Sequence, residues 1–391
     1  MCLSSFVSSC CLPNLRNPVK FSETKWLKIS SCQHLNSVWM KGQFGCHPVR
    51  STTHALTAIQ HKQLTTFDEG GSVRVLFIDF RKAFDLVDHN ILITKLKRFN
   101  VPNCLIQWFQ SYLAHRCQRV KIDRCVFSWR SLNGGMPQVS WLGPLSFIAL
   151  IDDLHALCEV HKYVDDTTLS ELIALACAVS NMSSVFATLL LWMANNNMQI
   201  NTSKTKMFLG RLNAVNFPRL STPTGSVERV TAFKLLGIIF QANFSWCLHI
   251  NTITSKTSKH FYFLKQLKRA GVPTDQLLHF YVAVIRPVLE YCTPVWHYAI
   301  TCTQTEQIKS IQKCAIRTIF PLTPEISYPY ALFAANLNSL HFRRYDISKS
   351  FFQDILWSIF LHSPPPPTPT WHFCFISAQN SHSSPTPILP Y

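Results

Sequence analysis

Between Val73 and Asp79 the chain reads Val-Arg-Val-Leu-Phe-Ile-Asp, an apolar, β-rich run that predicts a strand ending in a carboxylate. Upstream, Ser51-Thr-Thr-His-Ala-Leu-Thr-Ala-Ile predicts a capped helix. Ser51 or Thr52 can accept from the free amides of the first turn, and Leu56 and Ile59 share a face. Ile91 to Phe99 and Leu105 to Leu113 read as two helices split by Val101-Pro102-Asn103. Val120 to Leu132 suggests a strand pair followed by a turn at Asn133-Gly134-Gly135. The apolar period from Leu145 to Leu157 predicts a helix, with Asp152 and Asp153 on its solvated face. Lys162 to Leu169 predicts a short strand, turn and strand, and Val185 to Met198 another helix. Val230 to Phe240 outlines a strand pair with Gly237 in its middle. Beyond Trp246 the pattern turns helical, with a stop at Gly271, a new start near Thr274 and a break at Arg286-Pro287. Residues 1–41 show no clear period and read as an unrelated or disordered leader. From Ser363 onward there are eight prolines and no charged residue, so residues 363–391 read as a Pro-rich disordered tail.

Composition narrows the class of partner. The 391 residues carry 37 Lys plus Arg against 20 Asp plus Glu, a formal charge of +17. Such an excess favours an anionic partner, nucleic acid before a membrane surface, because Lys and Arg gain by displacing phosphate counterions. Fifteen cysteines contain no C-x-x-C pair, so a zinc site is not expected, and their scatter through apolar runs suits reduced thiols. No secretory signal or membrane-spanning run is recognisable, which points to an intracellular protein of nucleus or cytoplasm.

Candidate chemistry centres on carboxylates. In Lys162-Tyr-Val-Asp-Asp-Thr-Thr-Leu two adjacent aspartates sit between β-forming residues, where they are tolerated if solvated or joined by a cation. A lone Asp-Asp pair is more often an exposed acidic turn. If the Asp79 strand neighbours this hairpin in one sheet, however, three carboxylates meet at its edge and form an oxygen-rich cradle for Mg2+. Two such ions, roughly 3.5–4 Å apart, would activate a hydroxyl and stabilise a departing pyrophosphate.

The order of the motifs then carries a resemblance. Leu76-Phe-Ile-Asp-Phe-Arg-Lys-Ala-Phe-Asp-Leu-Val-Asp-His resembles motif A of the reverse transcriptases of non-LTR (LINE-type) retrotransposons. Asn133-Gly-Gly-Met-Pro-Gln-Val-Ser-Trp-Leu-Gly-Pro-Leu-Ser-Phe resembles motif B, and Tyr163-Val-Asp-Asp motif C. Trp192-Met-Ala-Asn-Asn-Asn-Met-Gln-Ile-Asn-Thr-Ser-Lys-Thr-Lys is similar to motif D, and Phe233-Lys-Leu-Leu-Gly-Ile-Ile-Phe to the primer-grip motif E. Gln43-Phe-Gly-Cys-His-Pro-Val-Arg-Ser-Thr-Thr-His-Ala-Leu resembles the segment leading into the palm.

The resemblance covers roughly residues 42–355 and implies an α+β fold. It would be a right-hand polymerase palm, an antiparallel sheet backed by helices, with partial fingers over residues 42–245. A helical thumb and C-terminal helical region would occupy residues 246–362. The implied activity is RNA-directed DNA polymerisation, extending a DNA primer 3′-hydroxyl along an RNA template with dNTPs. The implied cofactor is a pair of Mg2+ ions, Mn2+ being the alternative, held by Asp79, Asp165 and Asp166. Phe84 would stand at the steric gate and exclude a ribose 2′-hydroxyl. Gln138 would face the nascent base pair, and Lys204 would approach the triphosphate as a general acid. Lys265, Lys268 and Arg269, opposite Phe263, Leu264 and Leu267, would turn a basic face to a template–primer backbone.

Two departures from the family pattern define the alternative. Motif B ordinarily reads Pro-Gln-Gly, and Val139 stands at the third position. A β-branched residue there costs about 1–3 kcal/mol if the site needs a positive φ. The family also places further fingers motifs, and commonly an endonuclease, ahead of the Gln43 segment, so the chain reads as N-terminally truncated. The alternative is therefore a catalytically inactive, element-derived fragment that at most binds nucleic acid.

Overall fold

The computed structural model describes residues 42–47, 49–137, 140, 142–174, 180–210, 217–222, 225–320 and 326–362, the last six of these by backbone alone. The leader and tail expected at residues 1–41 and 363–391, together with Gln138 and Val139, lie outside the described residues. Helix α1 (Thr52–Asp68) starts where its cap was read, with Ser51 Oγ accepting from the His54 amide. Strand β1 (Ser72–Ile78) follows, then α2 (His89–Arg98), capped by Asp88, and α3 (Asn103–Leu113). Four two-residue strands come next: β2 (Cys117–Gln118), β3 (Lys121–Ile122), β4 (Cys125–Val126) and β5 (Arg130–Ser131). Helix α4 (Leu142–Ile151) precedes β6 (Glu159–Tyr163) and β7 (Asp166–Ile173), and α5 (Met182–Asn195) precedes β8 (Lys206–Gly210).

Short strands β9 (Ser221–Thr222), β10 (Gly225–Ser226) and β11 (Glu228–Val230) lead to the hairpin of β12 (Ala232–Leu235) and β13 (Ile238–Gln241). Its two-residue turn, Leu236-Gly237, has φ of +45° and +89°, the left-handed geometry that the glycine supplies without strain.

A five-stranded sheet in the order β11-β8-β1-β7-β6 organises these elements. Its pairs are antiparallel except β11 with β8. Strand β1 is central and buried on both faces, which is why its sequence is a near-continuous apolar run. Leu76 and Ile78 face a core built with α2, α3, α4 and α5. Val73, Val75 and Phe77 face the other core, made with α1, the β12–β13 hairpin and the first helix beyond it.

Beyond Trp246 the chain is helical. Helix α6 (Cys247–Arg269) stops at Gly271, φ +77°. Helix α7 (Thr274–Phe280) continues through a π-turn, Tyr281–Ile285, into α8 (Arg286–Glu290). The expected break at Arg286-Pro287 is thus absent. The wider π-turn lies just before the proline, which then falls at the start of α8, where its missing N–H costs no helical bond. Short α9 (Thr293–Trp296), then α10 (Cys302–Ile319), α11 (Tyr328–Ala334) and α12 (Leu340–His362) complete the described chain. Thr301 and Gln304 close a reciprocal capping box on α10. No helix among the described residues is long and apolar enough to cross a membrane.

Candidate active site

Register brings the aspartates to one end of the sheet. Strand β1 pairs with β7 so that Ile78 lies opposite Thr167, and the next residues along are Asp79 and Asp166. Strand β6 pairs with β7 as far as Tyr163 opposite Asp166, which leaves Val164-Asp165 as a two-residue turn. Val164 adopts φ +57°, a left-handed conformation that a β-branched residue reaches only when its surroundings hold it there.

The restraint comes from residues 42–45. Gln43 bridges to Lys162, and its buried carboxamide oxygen accepts from the Val164 amide at 3.2 Å and from the Gly45 amide at 2.9 Å. The Phe44 amide donates to the Lys162 carbonyl, and the Lys162 amide to Gly42. Gly45 lies so close to the turn that an added Cβ would fall 2.6 Å from Val164 Cγ2. The resemblance identified this segment but not its function as a brace for the acidic turn.

On the other side, the loop 199–205 docks on the main chain of Asp79. Its amide donates to Thr205 Oγ1 at 3.2 Å, and its carbonyl accepts from the Asn201 amide at 2.8 Å. Phe80 and Ile200 form an isolated antiparallel bridge. Lys204 sits in this loop with an exposed side chain, so it is brought to the Asp79 end of the sheet by backbone contacts.

The electrostatics reflect three like charges. Partial burial raises the Asp165 carboxyl, and the Asp79 charge raises it further. Asp166 is pushed up to about 6, first by partial burial and then by Asp165 and Asp79. Since Asp166 keeps an exposed surface, the like-charge repulsion is the part a cation would cancel. Every neighbouring charge that bears on Asp166 is negative, and all three donors are hard oxygens, a set that fits Mg2+-type coordination. Among the described residues no group of three or more His, Cys, Asp or Glu is gathered as a metal site, so the three carboxylates stand as repelling neighbours at one end of the sheet.

The expected gate residue, Phe84, is half-buried in a turn, its ring 5.2 Å from that of Phe147 on α4. Its carbonyl accepts from the Met136 amide, which ties the Asp79 segment to the loop entering α4. Gly135, φ +79°, lies in the same loop against the Asp85 carbonyl, where a Cβ would come within 2.7 Å. Gln138 lies outside the described residues. The β12–β13 turn approaches from the opposite side, where Leu235 and Leu236 line a small hollow together with Tyr163 and Asp166.

Two expectations are corrected here. Asp152 and Asp153 are not on a helix face, because α4 ends at Ile151. That helix is apolar all round, so no polar stripe marks its end, and the apolar residues beyond it imitate a continued period. Leu157, read as part of the apolar face, is 93% exposed. Asp153 keeps an exposed side chain and Asp152 is half-buried, but the pair belongs to a lysine-rich anchor. Lys95 Nζ donates to the Leu150 carbonyl at 2.5 Å and to Asp153 Oδ1 at 2.6 Å. Trp192 Nε1 donates to the same oxygen. Lys162 Nζ donates to the carbonyls of Ile151 (2.7 Å) and Asp152 (3.1 Å), and its burial brings its pKa down to about 8. Two buried ammonium groups thus cap the last carbonyls of α4, the favourable end of the helix dipole for a cation. An isolated lysine before an acidic turn gave no sequence signal for this.

The second correction concerns α6. Lys268 Nζ donates to the Thr318 carbonyl at the end of α10, so it is turned inward. Lys265 lies over the Phe261 ring, 4.8 Å from its centroid, and Arg269 is exposed. Leu264 is buried as expected, but Phe263 is 56% exposed. The three cations therefore do not form one outward face.

The chain is similar in sequence to known proteins. The family model described as "Reverse transcriptase (RNA-dependent DNA polymerase)" matches residues 24–240, more than half of the chain. The chain is 24% identical over 308 residues to the probable RNA-directed DNA polymerase from transposon X-element of Drosophila melanogaster, covering 75% of this chain and 33% of that protein. To the RNA-directed DNA polymerase from mobile element jockey of the same organism it is 23% identical over 307 residues, with the same coverage. The chain spans about a third of the length of these curated relatives. A telomerase structure from Candida tropicalis, in complex with a fragment of telomeric RNA, aligns over 80% of this chain and 56% of its own at 10% identity. Its TM-score of 0.40 is too low to bear on function.

Proposed function

The chain belongs to the reverse transcriptase (RNA-dependent DNA polymerase) family, and on that premise we propose that it extends a DNA primer 3′-hydroxyl with dNTPs copied from an RNA template, as a non-LTR retrotransposon enzyme. The observation that carries the reading is the register that ends β1 and β7 side by side at Asp79 and Asp166, with Asp165 in the adjoining turn. Dependence on divalent metal goes with the family. Asp79 and Asp165 would hold Mg2+ in two positions, with Mn2+ the alternative and Asp166 the less direct ligand. When bound, the ions would supply Lewis-acid activation of the primer hydroxyl and charge neutralisation at the leaving pyrophosphate.

The chain's own residues supply position. Gln43 holds the Val164 turn, and with it Asp165, in place. Thr205 and Asn201 fix the Asp79 main chain. The Phe84 ring would exclude a 2′-hydroxyl by contact, selecting deoxynucleotides. Gln138 would meet the nascent base pair, and Lys204 would carry a proton to the departing pyrophosphate oxygen.

Primer extension on an RNA template with Mg2+ and dNTPs tests this beside the double variant Asp165→Asn, Asp166→Asn. Incorporation by the unsubstituted chain that falls at least ~1,000-fold in the variant is expected, since charge neutralisation dominates phosphoryl transfer. Equal incorporation by both proteins would remove the aspartates from the mechanism. No incorporation by either, even after Val139→Gly, would favour a catalytically inactive relic that at most binds nucleic acid.

A further inference from the structure

Tyr291 lies in the connection between α8 and α9 and is 41% exposed, yet its phenol is committed to two other elements. It donates at 2.8 Å to the carbonyl of Leu236, in the turn of the β12–β13 hairpin. It also lies 3.1 Å from Thr52 Oγ1, in the first turn of α1. A carbonyl can only accept, so the single phenol proton goes to Leu236, and the phenol oxygen is left to accept from Thr52. The ring itself rests on Gly237, the other residue of the turn, where an added Cβ would meet Tyr291 Cε1 at 3.0 Å. Partial burial raises the phenol pKa to about 12, so it stays a donor at ordinary pH.

The backbone that carries this side chain is fixed on both sides. Glu290, just before it, accepts from Arg343 of α12 at 2.5 and 3.0 Å. The Tyr291 carbonyl accepts from Trp296 Nε1 at 3.0 Å, and that tryptophan is wholly buried in the core behind β1. Cys292, just after it, is buried at φ +50° with its Sγ 3.4 Å from Thr53 Oγ1.

The turn that Tyr291 holds has less support of its own. Strands β12 and β13 form a separate two-stranded sheet, so no ladder joins them to the sheet that carries the aspartates. Phe233 stacks on Phe77 nearer the base of the hairpin, with ring centroids 3.9 Å apart. Stacked rings allow sliding, whereas a hydrogen bond to the turn carbonyl fixes a position. That position bears on the site, because Leu235 and Leu236 line one hollow with Tyr163 and Asp166.

We propose that Tyr291 is a positioning residue whose phenol holds the β12–β13 turn at a set distance from Asp166, so that a strand end reaching the aspartates meets a fixed wall. The consequence for catalysis rests on the polymerase reading above; the hold itself rests on the geometry alone.

Tyr291→Phe keeps the ring on Gly237 and removes the hydroxyl, and two measurements on the full chain read the result. Hydrogen exchange in peptides spanning residues 232–241 should quicken about three- to tenfold, the worth of one net hydrogen bond, with exchange in α6 and the melting temperature as in the parent. Single-nucleotide extension at saturating primer–template should show kcat lower by about three- to tenfold and the KM for dNTP within about twofold. Thr52→Val spares the Leu236 bond and should change both readouts less. Unchanged exchange in Tyr291→Phe overturns the hold. Faster exchange with kcat unaltered, or with the dNTP KM rising in its place, overturns the positioning role. Effects of equal size in Thr52→Val would put the hold in α1 and overturn the assignment to the turn. A chain that extends no primer in any form, yet shows the exchange difference, keeps the hold and removes the polymerase reading.

Discussion

At Asp166 the carboxyl keeps its proton up to about pH 6, first through partial burial and then through the charges of Asp165 and Asp79. Between the ordinary carboxylate range and pH 6 the folded chain therefore binds more protons than the unfolded one. Stability contributed by this group falls as pH rises through that window, and the full penalty applies above it. Asp166→Asn is expected to melt about 1–3 °C higher than the parent at pH 7.5 without divalent metal. The figure is kept small because an exposed charge is screened. The two proteins should melt together near pH 4, and a difference independent of pH would contradict the charge argument. The aspartates themselves were legible because each ends or interrupts a run of β-forming residues. Lys162 and Gln43 were not, since one polar residue says nothing of which carbonyl or amide it will meet.

Among the elements, α4 has the most to hold together. It begins at Leu142 and its last carbonyls meet Lys162, a residue of the strand that leads into the acidic turn. Lys162→Met keeps the volume and removes both hydrogen bonds, leaving the carbonyls of Ile151 and Asp152 short of donors. A loss of about 1–3 kcal/mol in urea unfolding is expected. Lys162→Arg should recover part of it, and no loss in the Met variant would show that water serves the carbonyls equally well. The same helix marks where sequence patterning fails. An element apolar on every side has no stripe to end, so its boundary and the fate of Asp152 and Asp153 could not be read. Elements with a glycine at a positive φ, the β12–β13 turn and the stop of α6, were placed correctly because the backbone there requires that residue. Proline at position 287 was misjudged for the converse reason, since a π-turn ahead of it absorbed the missing donor.

For the whole molecule, the formal charge of +17 is a long-range property that no single contact represents. Binding to an RNA–DNA duplex should weaken steeply with salt, with a slope of log K against log salt of about −4 or steeper if five or more phosphates are neutralised. A slope near zero would show that the excess cations serve another end. The α+β architecture was legible because alternation, apolar runs and turn glycines survive tertiary packing, whereas the direction of individual cations does not. Lys268 shares its helical side with Lys265 in sequence yet donates inward to α10, a choice made by the neighbouring helix.

The position of β1 also has a consequence in time. It is the first strand of the sheet to be made and its middle strand once folded, and its partners β7 and β8 end at Ile173 and Gly210. At about 5–20 residues per second of synthesis, β1 waits on the order of ten seconds or more before both neighbours have left the ribosome. Through that interval a largely apolar strand, with Arg74 its one charge, is exposed along both edges, so β1 would be a natural target for a chaperone on the nascent chain and a first place for premature association to begin.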